Sequence, residues 1–171
     1  GKVALISGAS RGIGKAIATQ MAASGAKVML NSRKPDALDA AAAEVRAAVG
    51  DACDIDTFAA NAGDVEAGER AVAATIERFG GLDVLVNNAA TNPYFGATMD
   101  VDKARYDKTF QVNIDGPVFW SQAAHRLAFA EQPGVIINVA SVGGMRAEFG
   151  LGVYNLTKAA LIHFTRQLAC E

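Results

Sequence analysis

Tyr154 and Lys158 stand four residues apart near the C-terminal end of the 171-residue chain, and Ser141 lies thirteen residues before the tyrosine. A phenol ionises near a pH of about 10, so a tyrosine that exchanges a proton near neutrality needs its phenolate stabilised. Positions four apart share a helix face, which puts the Lys158 ammonium one turn from the Tyr154 hydroxyl. A tyrosine near a helix start also feels the positive end of the helix dipole. A surface tyrosine beside a solvated lysine has the same spacing, so the pair gains meaning only within a larger constellation. The chemistry it predicts is proton transfer.

A second set of residues lies at the other end of the chain. Val3-Ala4-Leu5-Ile6-Ser7 reads as a strand and runs into Gly8-Ala9-Ser10-Arg11-Gly12-Ile13-Gly14 and then into helix-forming sequence. Backbone amides in such a turn, together with the positive helix end, can face a pyrophosphate. Gly8 permits the tight turn, while Gly12 and Gly14 let phosphate and the neighbouring strand approach without a Cβ in the way.

The elements that must position these residues follow from periodicity. Five β-rich runs, Val3 to Ser7, Lys27 to Asn31, Ile55 to Ala60, Val84 to Asn87 and Val135 to Val139, alternate with helical stretches. The helices are expected near Gly12 to Ser24, Ala37 to Val49, Val65 to Phe79, Val101 to Gln132 and from Tyr154 onward. Such alternation predicts an α/β fold with a parallel sheet and helices on both faces, and the apolar strands predict burial on both sides. Gly25 and Gly80 fit left-handed C-caps, Asp64 and Asp100 fit N-caps, and Gly116-Pro117 should kink or restart the fourth helix.

Composition bounds the rest. With 51% hydrophobic residues and a formal net charge of −2, the chain reads as one domain over residues 1–171, with no basic footprint for nucleic acid or a membrane surface. No apolar run is long enough for a membrane span and no secretory signal precedes the first strand, so the expected location is cytoplasmic. Cys53, Cys170, His125 and His163 lack metal-ligand or redox spacing and are read as structural, with no metal site.

Taken together these motifs resemble the short-chain dehydrogenase/reductase family of the classical type, including its 3-oxoacyl-(acyl-carrier-protein) reductase-like members. Gly8 to Gly14 is similar to the family's Thr-Gly-x-x-x-Gly-x-Gly, with Ser7 in the threonine place, and Asn87-Asn88-Ala89-Ala90 is similar to its Asn-Asn-Ala-Gly. The resemblance implies a Rossmann-type doubly wound sheet of order 3-2-1-4-5. It implies Tyr154 as general acid/base, Lys158 also as a ligand of the nicotinamide ribose, and Asn113 as holder of a water linking Lys158 to solvent. Ser141 would hydrogen-bond a substrate carbonyl or hydroxyl beside Tyr154. Gly8, Ser10, Arg11, Gly12, Ile13, Gly14, Asn88, Ala89 and Ala90 would line the cofactor.

Two positions depart from the pattern. Ala90 replaces a glycine and would be strained if that position requires a positive φ. The adenine-contacting aspartate place falls on Asn61, with Asp54 and Asp64 as competing assignments and an ordinary loop asparagine as a further one. Asparagine can both accept from and donate to adenine.

Selectivity for NAD requires an acid about twenty residues beyond the glycine turn. That place reads Asn31-Ser32-Arg33-Lys34 here, so Ser32 and Arg33, with Arg11, suit a 2′-phosphate. The reading favours NADP(H), with NAD(H) as the alternative. Family domains run on for about half as much again, so the chain reads as truncated at its C-terminus, lacking edge strands and a substrate lid. Three readings stay open: a carbonyl/alcohol oxidoreductase on a small molecule, a cofactor-binding module without turnover, and a structural role. A family-like homodimer or homotetramer through the fourth and last helices is expected.

Overall fold

The computed structural model describes residues 1–50 and 53–171. Five strands form one parallel sheet in the order β3-β2-β1-β4-β5. They are β1 Val3–Ser7, β2 Lys27–Ser32, β3 Ile55–Ala59, β4 Val84–Asn87 and β5 Val135–Asn138, each within one residue of the sequence expectation. In the central register Leu5 lies between Met29 and Leu85, and Ile6 between Leu30 and Val86.

Two apolar layers hold the sheet. α1 (Gly12–Ala23) and α2 (Pro35–Val49) cover one face, where Ile6, Val28, Leu30 and Val86 pack with Ala18, Leu38 and Val45. α3 (Val65–Phe79) and α5 (Gly116–Ala124) cover the other, where Leu5, Met29 and Leu85 meet Val72, Phe79 and Trp120. Burial from both sides explains why the central strands read as apolar runs. β5 lies at the edge of the described sheet, as expected of a chain read as lacking further strands, and its Val135 and Ile137 are exposed.

Gly25 and Gly80 take positive φ, as their C-cap reading requires, and the Asp64 carboxylate caps α3 by accepting from the Ala67 amide at 3.2 Å. Asp100 is not a helix cap. It closes a short 3₁₀ turn, Thr98–Asp100, while Asp102 caps α4 (Lys103–Phe110) by accepting from the Arg105 amide at 2.8 Å. At Gly116-Pro117 the fourth helix restarts, as expected, without a break in the chain's helical course. The backbone widens into a π turn, Gln111–Asp115, continues as α5, and widens again over His125–Phe129. Proline removes an i→i−4 bond, and the Gly116 amide reaches back five residues to the Gln111 carbonyl instead. α6 (Gly152–Leu168) begins two residues before Tyr154.

Among the described residues no helix is long and apolar enough to cross a membrane, and no group of three His, Cys, Asp or Glu side chains gathers as a metal site. Cys53 and Cys170 are unpaired.

Candidate active site

The strand order reverses between β1 and β4, and in a doubly wound sheet the crevice beyond that point is where ligands bind. A cleft of about 320 Å³ opens there. Gly8 sits at φ +67°, and a Cβ on it would lie 2.9 Å from Ala89 Cα; one on Gly14 would overlap the Gly8 carbonyl. Gly12, at φ +55°, leaves its side toward the cleft open. Ser7, the residue in the threonine place, clasps the turn after β4. Its hydroxyl accepts from the Asn88 and Ala89 amides at 3.0 Å each and donates to the Val86 carbonyl, while the Asn88 amide group donates to the carbonyls of Ser7 and Gly8.

Ala90 lines the cleft without the strain expected of it, because no non-glycine residue among those described has a positive φ. Ser10 Oγ donates to Ser32 Oγ at 3.0 Å, tying the glycine turn to the end of β2 so that Arg11 and Arg33 border the same cleft. Ile13 is exposed at its floor. Of the three residues competing for the adenine place, Asn61 alone lines the cleft, its Oδ1 accepting from the Gly63 amide. Asp64 is spent on its cap and Asp54 pairs with Arg78 at 2.6 Å. Asn31, fully buried, donates to the Phe58 and Ala60 carbonyls and so anchors the chain leading into Asn61.

The second half of the site is assembled on α6. Ser141 follows β5 and accepts from the Gly143 amide at 3.1 Å, opening the 3₁₀ turn Val142–Gly144. A Cβ on Gly143 would overlap the Asn155 side chain, and one on Gly144 would lie 2.7 Å from the Lys158 backbone. Those two glycines therefore lay the Ser141 turn directly on the helix turn that carries Tyr154 and Lys158. Lys158 is 2% exposed, and its ammonium donates to the Val139 carbonyl at 2.7 Å and stands 5.7 Å from the Tyr154 ring centroid. Burial pulls its pKa from the ordinary 10.5 down to about 8.

Asn113 lies in the first π turn, 1% exposed. Its side chain is fully engaged, accepting from the Thr91 amide at 2.8 Å and donating to the Thr91 carbonyl and to Thr157 Oγ1 at 3.0 Å each. Thr157 in turn donates to the Tyr154 carbonyl at 2.7 Å. Asn113 thus joins the cofactor-side loop to α6. Sequence reading missed Thr91, which is bound through its backbone, and the ties made by the hydroxyls of Thr157 and Ser7, whose partners come together only in the tertiary fold. It also missed Lys108 of α4, which lines the cleft.

Comparison with known proteins agrees with this geometry. The short chain dehydrogenase family model matches residues 2–171, and the chain belongs to that family. It is 36% identical over 170 residues to human dehydrogenase/reductase SDR family member 4, covering 99% of this chain and 60% of that protein. A short chain dehydrogenase from Burkholderia cenocepacia J2315, solved in complex with NADP, superimposes with a TM-score of 0.87 at 36% identity, covering 98% of this chain and 67% of that one. A 3-oxoacyl-[acyl-carrier protein] reductase from Brucella melitensis superimposes with a TM-score of 0.90 at 31% identity, over 99% and 69% of the two chains. The chain spans about 60% of the length of the curated relatives it matches.

The cleft fits a dinucleotide on its own chemistry. Among the described residues no carboxylate lines it, three cations do, glycines leave room for phosphate at the start of α1, and the buried Asn31 Oδ1 beside it has no partner.

Proposed function

We propose that this chain catalyses NADP-dependent interconversion of a ketone and a secondary alcohol, with Tyr154 as general acid/base. The observation that carries the reading is the buried Lys158 ammonium set beneath Tyr154, one helix turn from it, with the Ser141 turn packed against the same turn of α6. When bound, the nicotinamide supplies or accepts the hydride. Ser141 holds the substrate oxygen, and Tyr154 gives that oxygen a proton in reduction or takes it in oxidation. Lys158 steadies the phenolate by charge and also holds the nicotinamide ribose. Because the Asn113 side chain is committed to Thr91 and Thr157, its backbone carbonyl, to which Pro117 has no N–H to return, is the group left to hold a relay water.

At the adenosine end, Gly8 to Gly14 and Asn88 to Ala90 take the pyrophosphate and ribose, Asn61 the adenine edge, and Ser32, Arg33 and Arg11 the 2′-phosphate. NADP is favoured over NAD because no carboxylate among the described residues lines the cleft to hold the ribose diol. The reduction named for the Brucella protein makes 3-oxoacyl thioesters the first substrates to try. Exposed Phe119 on α5 and Leu156 on α6 support pairing of these helices in a homodimer or homotetramer, which sedimentation of the native protein tests.

The catalytic reading is tested by titrating the native protein with NADPH and NADH and then following ketone-dependent nicotinamide oxidation across a panel that includes a 3-oxoacyl thioester. NADPH-driven reduction of at least one carbonyl is expected. Tight NADPH binding with no turnover on any of them would instead favour a cofactor-binding module.

A further inference from the structure

Arg11 and Arg33 come from the ends of β1 and β2, whereas Lys108 enters the cleft from the last turn of α4. We infer that Lys108 is a third contact for the cofactor's 2′-phosphate, so that selectivity for NADP is shared between the strand side and the helix side of the cleft. The inference rests on the reading of this cleft as an NADP site.

Three observations bear on how its ammonium could meet a ligand. Gly63 lets α4 and its π turn close on the Asn61 loop, since a Cβ on it would lie 3.1 Å from Val112 Cγ2 and 3.2 Å from Gln111 Cγ. The half-buried Lys108 donates to neutral Gln111, 3.0 Å away, at an adjoining hollow that Asp107 and Asp115 also line, and no carboxylate comes within ion-pair distance of it, so a turn of the side chain toward the cleft breaks no ion pair. Neither Lys108, Arg11 nor Arg33 has a carboxylate within ion-pair distance among the described residues, where seven of the chain's 16 Lys and Arg are paired. Even Asp107, beside Lys108 in sequence, is taken by Lys103. A cleft bordered by three uncompensated cations and no acid suits a ligand with one more dianionic group than a pyrophosphate supplies. A lysine that merely solvates the C-terminal end of α4 would feel the helix dipole equally with either cofactor.

Dissociation constants of NADPH and NADH, measured by nicotinamide fluorescence on the native protein and on Lys108→Gln, Lys108→Arg and Arg33→Ala, separate the cases. Lys108→Gln is expected to weaken NADPH about 3- to 10-fold, to leave NADH within about 2-fold, and to flatten the salt dependence of NADPH binding. Lys108→Arg should retain most of the affinity. Equal losses for both cofactors, or no loss for NADPH with the fold intact by thermal melt, would overturn the inference. A selective loss at Arg33 with none at Lys108 would leave the NADP reading standing without a third cation. Failure of the native protein to bind NADPH would remove both.

Discussion

The strands beneath the glycine turn and the strand that leads to Ser141 are supported differently. Leu5, Ile6, Val28 and Leu30 in β1 and β2 are wholly inaccessible, whereas Val135 and Ile137 in β5 are 53% and 40% exposed. The adenosine side is a packed α/β unit closed on both faces. The catalytic side takes its order from polar ties, Lys158 to Val139 and Asn113 to Thr91 and Thr157, and from glycine-mediated contact with α6. On the proposed function, binding and chemistry rest on separate supports, and substitutions should separate them.

The largest effect is expected from Tyr154→Phe, which should lower kcat about 100- to 10,000-fold while NADPH affinity changes less than about 3-fold. Parallel loss of rate and cofactor binding would dissolve the distinction between the two sides. Core truncation probes the same contrast through stability. Leu5→Ala should cost about 2 to 5 kcal/mol, whereas Ile137→Ala should cost under about 1, read by chemical denaturation. Similar costs would mean that β5 is covered as well as β1.

On the cofactor side, Arg33→Ala should weaken NADPH by about 1.5 to 3 kcal/mol and NADH far less, measured as dissociation constants. The subtlest effect concerns Lys158 and pH. Its folded pKa, about 8, lies below the 10.5 of an exposed lysine, so the unfolded chain holds that proton to higher pH. Stability therefore carries the full burial cost below about pH 8 and recovers as pH rises toward about 10.5. Lys158→Met should accordingly raise unfolding stability by about 1 to 3 kcal/mol near neutrality, with the lost bond to Val139 offsetting part of the gain. That advantage should shrink as pH rises, and a gain that grows with pH instead would contradict the assignment.

Much of this was legible because it is written in local patterns. Strand bounds followed from apolar runs, and the paired glycines, Ser141, Tyr154 and Lys158 from spacing. The misread parts depend on tertiary placement. A π turn preserves helical composition while shifting register by one residue, so the segment around Asn113 read as one helix. Asp100 and Asp102 are equally good caps in sequence, and only the intervening 3₁₀ turn selects the second. Of Asn61, Asp54 and Asp64, only Asn61 is seen at the cleft once Arg78 and the α3 amides claim the two acids, and the adenine contact itself remains a proposal.

Gly143 and Gly144 leave no room between the Ser141 turn and α6. Ser141 and Tyr154 therefore ride on one rigid body, like two jaws cut from a single block. The exposed segment beyond the turn, with Met145 and Phe149 on its surface, lies outside that block. Exchanges of its side chains would leave the alignment of the two hydroxyls fixed, so on the proposed function that segment could vary without disturbing the pair.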